Sequence, residues 1–148
     1  MQTDQELMER IQKNIGWLKQ QNSLFYKALP VDFHACNANE GWIELRHKTG
    51  SLTQNPHGTL HGGAAAWLLD TTMAIAGRSF SGAPSTPTLD LHINFLKGIN
   101  VGRELSIRAE IKRLGRRIIS LYGEIRDIKS CELYVTATAN SYIPSSGV

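Results

Sequence analysis

The stretch Asn55-Pro-His-Gly-Thr-Leu-His61-Gly62-Gly63-Ala-Ala-Ala-Trp67-Leu-Leu-Asp70 gathers an amide, an imidazole, two adjacent glycines and a carboxylate. Glycine lowers helix propensity by about 1 kcal/mol relative to alanine, so a glycine pair opening an apolar helical run needs another reason. Bare backbone lets a ligand approach the free N–H groups of a helix start, where the dipole favours negative charge. Gly62 N–H is therefore a candidate donor to an oxyanion, with Gly63 next to the bound molecule. Asn55 can add a side-chain amide, and His61 either orients the loop or donates to the ligand. Asp70 lies among Trp67, Leu68, Leu69, Met73 and Ile75, where a carboxylate is costly to bury unless paired, protonated or used. These residue types suit attack on a polarised carbonyl, with Asp70 as general base on water or as direct nucleophile.

Spacing adds a constraint. Gly62 and Asp70 are eight residues apart, which is about 12 Å along a helix axis. An attacked carbonyl carbon sits about 3–3.5 Å from its attacker, with oxyanion donors at hydrogen-bond distance on its other side. One helix cannot easily supply both groups, whereas two copies related by a two-fold axis can.

The elements that would hold these residues follow from periodicity. Residues 1–29 read as helical, with Leu7, Ile11, Ile15 and Leu18 on one face and Thr3 or Asp4 as cap. A break near Gln21-Asn22-Ser23 starts a second short helix that Pro30 ends. Phe33–Cys36 and Gly41–Lys48 read as paired strands, with Ile43 and Leu45 inward against Glu44 and Arg46 outward. A loop over Gln54–Thr59 leads to a helix from Gly63 to about Phe80, with its exit at Ser81-Gly-Ala-Pro-Ser. Strands follow at Thr88–Leu96, Arg103–Arg113, Ile118–Ile128 and Cys131–Tyr142. In the first of these, Leu89, Leu91, Ile93 and Phe95 are expected on one buried face. Strict alternation marks an antiparallel sheet, and such a sheet curved around one long apolar helix buries both. The helix is apolar nearly all round, so a second subunit is expected to complete its cover.

Composition sets wider bounds. The 148 residues suit a single α+β domain, and no apolar run approaches the ~20 residues of a membrane span. The acidic, polar N-terminus is unlike a signal peptide, and Cys36 and Cys131 form no disulfide framework, so a reduced cytoplasmic setting is expected. The net charge of +3 is uneven, with Arg103, Arg108, Lys112, Arg113, Arg116 and Arg117 crowded into one segment that suggests an anionic partner. His57 and His61 are four apart, but a glycine lies between them and no acid or cysteine cluster completes a metal site, so neither metal nor cofactor is expected.

The pattern Asn55…His61-Gly62-Gly63…Asp70 resembles the signature of hotdog-fold acyl-CoA thioesterases of the PaaI type, within the 4-hydroxybenzoyl-CoA thioesterase superfamily. The likeness runs from about Phe33 to Tyr142. It implies a helical extension at 1–30, a hotdog domain at 31–144, and hydrolysis of acyl-CoA at sites shared across a homodimer, often within a dimer of dimers. It also implies that Thr88, where related enzymes carry a hydroxyl, helps hold the water. Alternation points Thr88 away from the Leu89 face, which leaves its reach open. Coenzyme A carries phosphates that arginine forks suit, making Arg116 and Arg117, then Lys97 and Arg113, candidates; Trp67 is a candidate for an acyl pocket.

Other functions fit less well. Hotdog dehydratases resemble a different pattern, with a catalytic His in a Pro-Gly loop and a Glu on the helix. An acyl-CoA-binding regulator would need a DNA-binding domain that 29 residues with few basic side chains do not make, whereas a catalytically silent acyl-CoA sensor stays open. Nucleic-acid binding lacks aromatic interleaving in the basic segment.

Overall fold

The computed structural model describes residues 1–145. Helix α1 (Asp4–Gln20) starts at a reciprocal cap: Thr3 Oγ1 accepts the Glu6 N–H, and the Glu6 carboxylate accepts the Thr3 N–H. Its repeat of Leu7, Ile11 and Ile15 is buried against the rest of the chain, and Asn14 and Arg10 bond Ser79 on a later helix. Ser23 caps α2 (Leu24–Ala28), which turns Tyr26 inward; Leu29 and Val31 are buried just beyond it. The Tyr26 hydroxyl donates to Val31 O at 3.2 Å.

The remaining elements are β1 (Asp32–Asn37), β2 (Trp42–Lys48), a 3-10 turn at Ser51–Thr53, α3 (Gly62–Ser81), β3 (Thr88–Phe95), β4 (Glu104–Leu114), β5 (Ile118–Asp127) and β6 (Leu133–Tyr142). The strands form one antiparallel sheet in the order β1-β2-β4-β5-β6-β3. It curves around α3, the architecture expected from the pattern and implied by the resemblance. Ile43 and Leu45 of β2, Leu105, Ile107 and Ala109 of β4, and Ile119, Leu121 and Ile125 of β5 face the helix and are buried. From α3 they meet Leu68, Leu69, Met73 and Ile75, and full burial of each such side chain is worth about 1.5–3 kcal/mol. Gly123 lets β5 and α3 approach, because a Cβ there would stand 2.6 Å from Met73 Cε and 3.0 Å from Leu69 Cδ2. Gly82, in the left-handed conformation at φ 72°, ends α3.

Two expectations need correction. Strand β6 begins at Leu133, because Cys131 adopts φ 60° in the turn after β5 and lies outside the ladder. Leu89 and Phe95 are 58% and 59% exposed: β3 ends the sheet, with no neighbour on its outer side among the described residues, and a register slip near its start turns Leu89 outward. The 3-10 turn had no sequence signal. Among the described residues no helix is long and apolar enough to cross a membrane.

His47 on β2 is 5% exposed; its Nδ1 lies 2.7 Å from Pro30 O and its Nε2 has no partner among the described residues. Burial pushes this imidazole below its ordinary value, opposed in part by the Pro30 carbonyl and the Asp32 charge. The folded state therefore favours neutral His47, and its contribution is present above the unfolded value of about 6.5 and is lost as pH falls below it. Denaturant titrations should show the native chain losing stability between pH 7 and 5.5 more steeply than His47→Gln. Parallel curves would contradict this account.

Candidate active site

The start of α3 is built around His61. Its backbone is extended, and Nδ1 accepts the Gly63 N–H at 2.9 Å, so the imidazole caps the helix. Gly63 suits this contact, because a Cβ would sit 3.0 Å from that ring nitrogen and the imidazole would have to shift. The His61 N–H donates to Thr53 O at 2.8 Å, which ties the 3-10 turn to the helix start. Gly62 N–H has no partner among the described residues. Phe95 closes one side of it, its ring 3.3 Å from where a Gly62 Cβ would be.

Asn55 shapes the loop in front of this turn. Its Oδ1 accepts the N–H groups of His57 and Thr59 at 2.9 and 3.2 Å, and its Nδ2 donates to Thr59 Oγ1 at 2.8 Å. One Nδ2 hydrogen is left for a ligand. Asn55, Thr59, Gly62, Phe95 and Lys97 line a cleft of about 370 Å³.

Asp70 lies two turns further along α3, half-buried, and Thr88 Oγ1 donates to its Oδ1 at 2.6 Å. Alternation predicted Thr88 on the face opposite Leu91, and a bulge explains why it reaches the helix. The β3–β6 register runs Leu91↔Ala139 and Asp90↔Asn140, then slips so that Thr88 pairs with Ser141 and Leu89 is extra. Ser141, Ala139 and Ala137 form the buried face of β6. Across from Ser141, Thr88 therefore shares the helix-facing side with Leu91, while Leu89 turns out to solvent. Sequence alternation carries no signal for this slip.

The chain thus carries two constellations: Gly62 with Asn55 beside the Phe95 end of β3, and Asp70 with Thr88 at its other end. Residues 57–133, which include His61, Gly62, Asp70 and Thr88, match the model of the thioesterase superfamily. The chain belongs to that superfamily. It is 32% identical over 80 residues to a Haemophilus influenzae protein named as an esterase, a match covering 53% of this chain and 57% of that protein. Over the full fold it is similar to the PaaI protein of the Escherichia coli phenylacetic acid degradation operon (21% identity, 95% and 97% of the two chains, TM-score 0.80). It is also similar to a Streptococcus mutans protein solved with acetyl CoA (20% identity, 77% and 88% covered, TM-score 0.70).

The other expected site residues of this superfamily member are spread out. Lys97 lines the Gly62 cleft, where its ammonium pairs with Glu132, a contact that raises its pKa. Arg113, Arg116 and Arg117 belong to the β4–β5 hairpin at the opposite sheet end, the end that holds Thr88, since Thr88 pairs with Ser141 and Ser141 with Ile119. Arg117 donates to the Tyr142 hydroxyl at 3.2 Å. Trp67 packs on Tyr26 with ring centroids 6.3 Å apart, so it holds α2 in place and lines neither the Gly62 cleft nor its apolar neighbour. Sequence reasoning missed Thr59 and the exposed Phe95 as parts of the site. Among the described residues no cluster of three or more His, Cys, Asp or Glu could hold a metal ion.

Removing the Thr88 hydroxyl takes away the hydrogen bond it gives to the Asp70 carboxylate. Thr88→Val should lower stability by about 1 kcal/mol in denaturant titration, while Thr88→Ser stays near the native value. Equal stability of the two variants would show that the bond contributes nothing.

Proposed function

We propose that this chain hydrolyses acyl-CoA thioesters to a free acid and coenzyme A. The observation that carries the reading is the Thr88–Asp70 hydrogen bond at one end of β3 together with an unpartnered Gly62 N–H at the other. On α3 the two groups are eight residues apart, about 12 Å along the axis, too far to act on one carbonyl. The edge strand supplies the way to join them. β3 exposes Leu89 and Phe95, with Leu96 just beyond, and has no partner on its outer side among the described residues. An antiparallel pairing of β3 with a second copy sets the Thr88 end of one strand against the Phe95 end of the other. Gly62 of one protomer then faces Asp70 and Thr88 of its partner, twice per dimer.

In this arrangement the thioester oxygen takes the Gly62 N–H and the remaining Asn55 Nδ2 hydrogen, both fixed before the reaction begins. His61 acts by holding the turn, its Nδ1 already occupied by Gly63. Asp70 acts as general base on water rather than as nucleophile. Thr88 donates to Oδ1, which leaves Oδ2 to take the proton from the water. The arginines of the hairpin then approach Lys97 of the partner, a charge arrangement suited to the coenzyme A phosphates. The acetyl CoA in the Streptococcus mutans structure supports this ligand class, and the family resemblance extends the proposal to a dimer of dimers.

Thiol release from a panel of acyl-CoA thioesters tests the reading. Asp70→Asn, folded and of native oligomeric state, should lose about 100-fold or more in kcat. Native activity retained by this variant would remove Asp70 from the chemistry. In a single turnover in ¹⁸O-water, label confined to the released acid fits the general-base route, and label in Asp70 after repeated turnover would establish the nucleophilic one.

A further inference from the structure

An apolar groove of about 590 Å³ lies on the other side of the helix start from the Gly62 cleft. Its walls are Leu24 and Phe25 of α2 and Leu52 of the 3-10 turn, and its inner end is His61 and Gly63. These three apolar side chains are 79%, 66% and 87% exposed. Helix α2 is apolar on two faces, and the core uses only the one bearing Tyr26. Leu52 is held in register with the site, because neighbouring Thr53 O accepts the His61 N–H at 2.8 Å. On the facing wall, the Tyr26 contacts with Val31 O and Trp67 fix α2.

We infer that this groove receives the acyl group of the substrate, and that Leu24, Phe25 and Leu52 set its length and shape. The inference rests on the hydrolase reading and adds the substrate class: an extended aliphatic or aryl acyl thioester rather than acetyl. A thioester whose oxygen sits at Gly62 N–H has two arms, and the two spaces flanking the helix start differ in character. One holds Asn55, Thr59 and Lys97, and the other is walled by leucine and phenylalanine. The polar pantetheine arm suits the first and the hydrocarbon the second. Gly62 lines the first space, and His61 and Gly63 line the inner end of the second, so the two adjoin at the helix start. The N-terminal helices thus act as a specificity wall as well as a cover for α3.

The test is a chain-length profile of kcat/KM for acetyl-, butyryl-, decanoyl- and phenylacetyl-CoA with the native chain, Leu52→Ser and Phe25→Ser, each checked for oligomeric state. Both positions are exposed, so the variants should fold. The native chain should prefer the longer or aryl substrates. Each variant should lose about tenfold or more on them while acetyl-CoA stays within about twofold. Leu52→Trp, which fills the groove, should reverse the preference toward acetyl-CoA. An unchanged profile in an active enzyme would overturn the groove assignment alone. Dissociation of the variants into smaller species would overturn it too, by putting a second copy on this surface. Absence of hydrolysis on every substrate by the native chain would overturn the hydrolase reading instead.

Discussion

The rise of an α-helix, 1.5 Å per residue, is the constraint on which the proposed site depends. Gly62 and Asp70 share α3, and the hydrogen-bonded helix holds them about 12 Å apart along its axis. No side-chain motion closes that gap to bonding distance. The distance becomes useful only when a second helix runs in the opposite sense beside the first, and then each dimer gains two equivalent sites. In the proposed dimer, the cover that an apolar α3 needs and the chemistry proposed for Asp70 are met by the same contact.

Much of the surrounding structure reads as support for those two positions. His61 spends a ring nitrogen on the Gly63 N–H, which leaves the Gly62 N–H as the available donor. Asn55 spends most of its amide on loop closure, so the donors around the oxyanion position are set before a ligand arrives. At the other end, one extra residue at Leu89 turns Thr88 onto the helix side of the sheet. The same bulge sends Leu89 outward on an edge strand, where it adds to the apolar surface that a second copy would cover.

Local features were legible in the residues. The Thr3 cap, the buried repeat of Leu7, Ile11 and Ile15, the glycine-led helix ending at Gly82, and the alternating faces of β2, β4 and β5 all follow from short-range chemistry. The candidate acid and oxyanion turn were legible for the same reason, since their types and spacing lie in one segment. What alternation misjudged depended on partners distant in sequence. Leu89 and Phe95 look like core residues until β3 proves to be an edge, and the face of Thr88 is decided by its register against Ser141. The packing of Trp67 on Tyr26 likewise joins residues distant in sequence, and nothing local shows it. The surplus apolar face of α2 was written in Leu24 and Phe25, but a five-residue helix is too short for periodicity to separate its two faces.

Mixing two inactive subunits tests the shared site most directly. Gly62→Pro removes the N–H at the first helical position, where proline is tolerated after the extended backbone of His61; its ring also meets Phe95, so the variant is checked for fold and oligomeric state. Asp70→Asn removes the base. Each variant alone should be inactive toward acyl-CoA thioesters. Co-expressed with different tags and carried through sequential capture, the mixed species has one site with both groups intact and one with neither. The account predicts that the captured mixed dimer recovers about half of the native activity. Inactivity of that dimer, with both subunits present and folded, would contradict a site built from two chains.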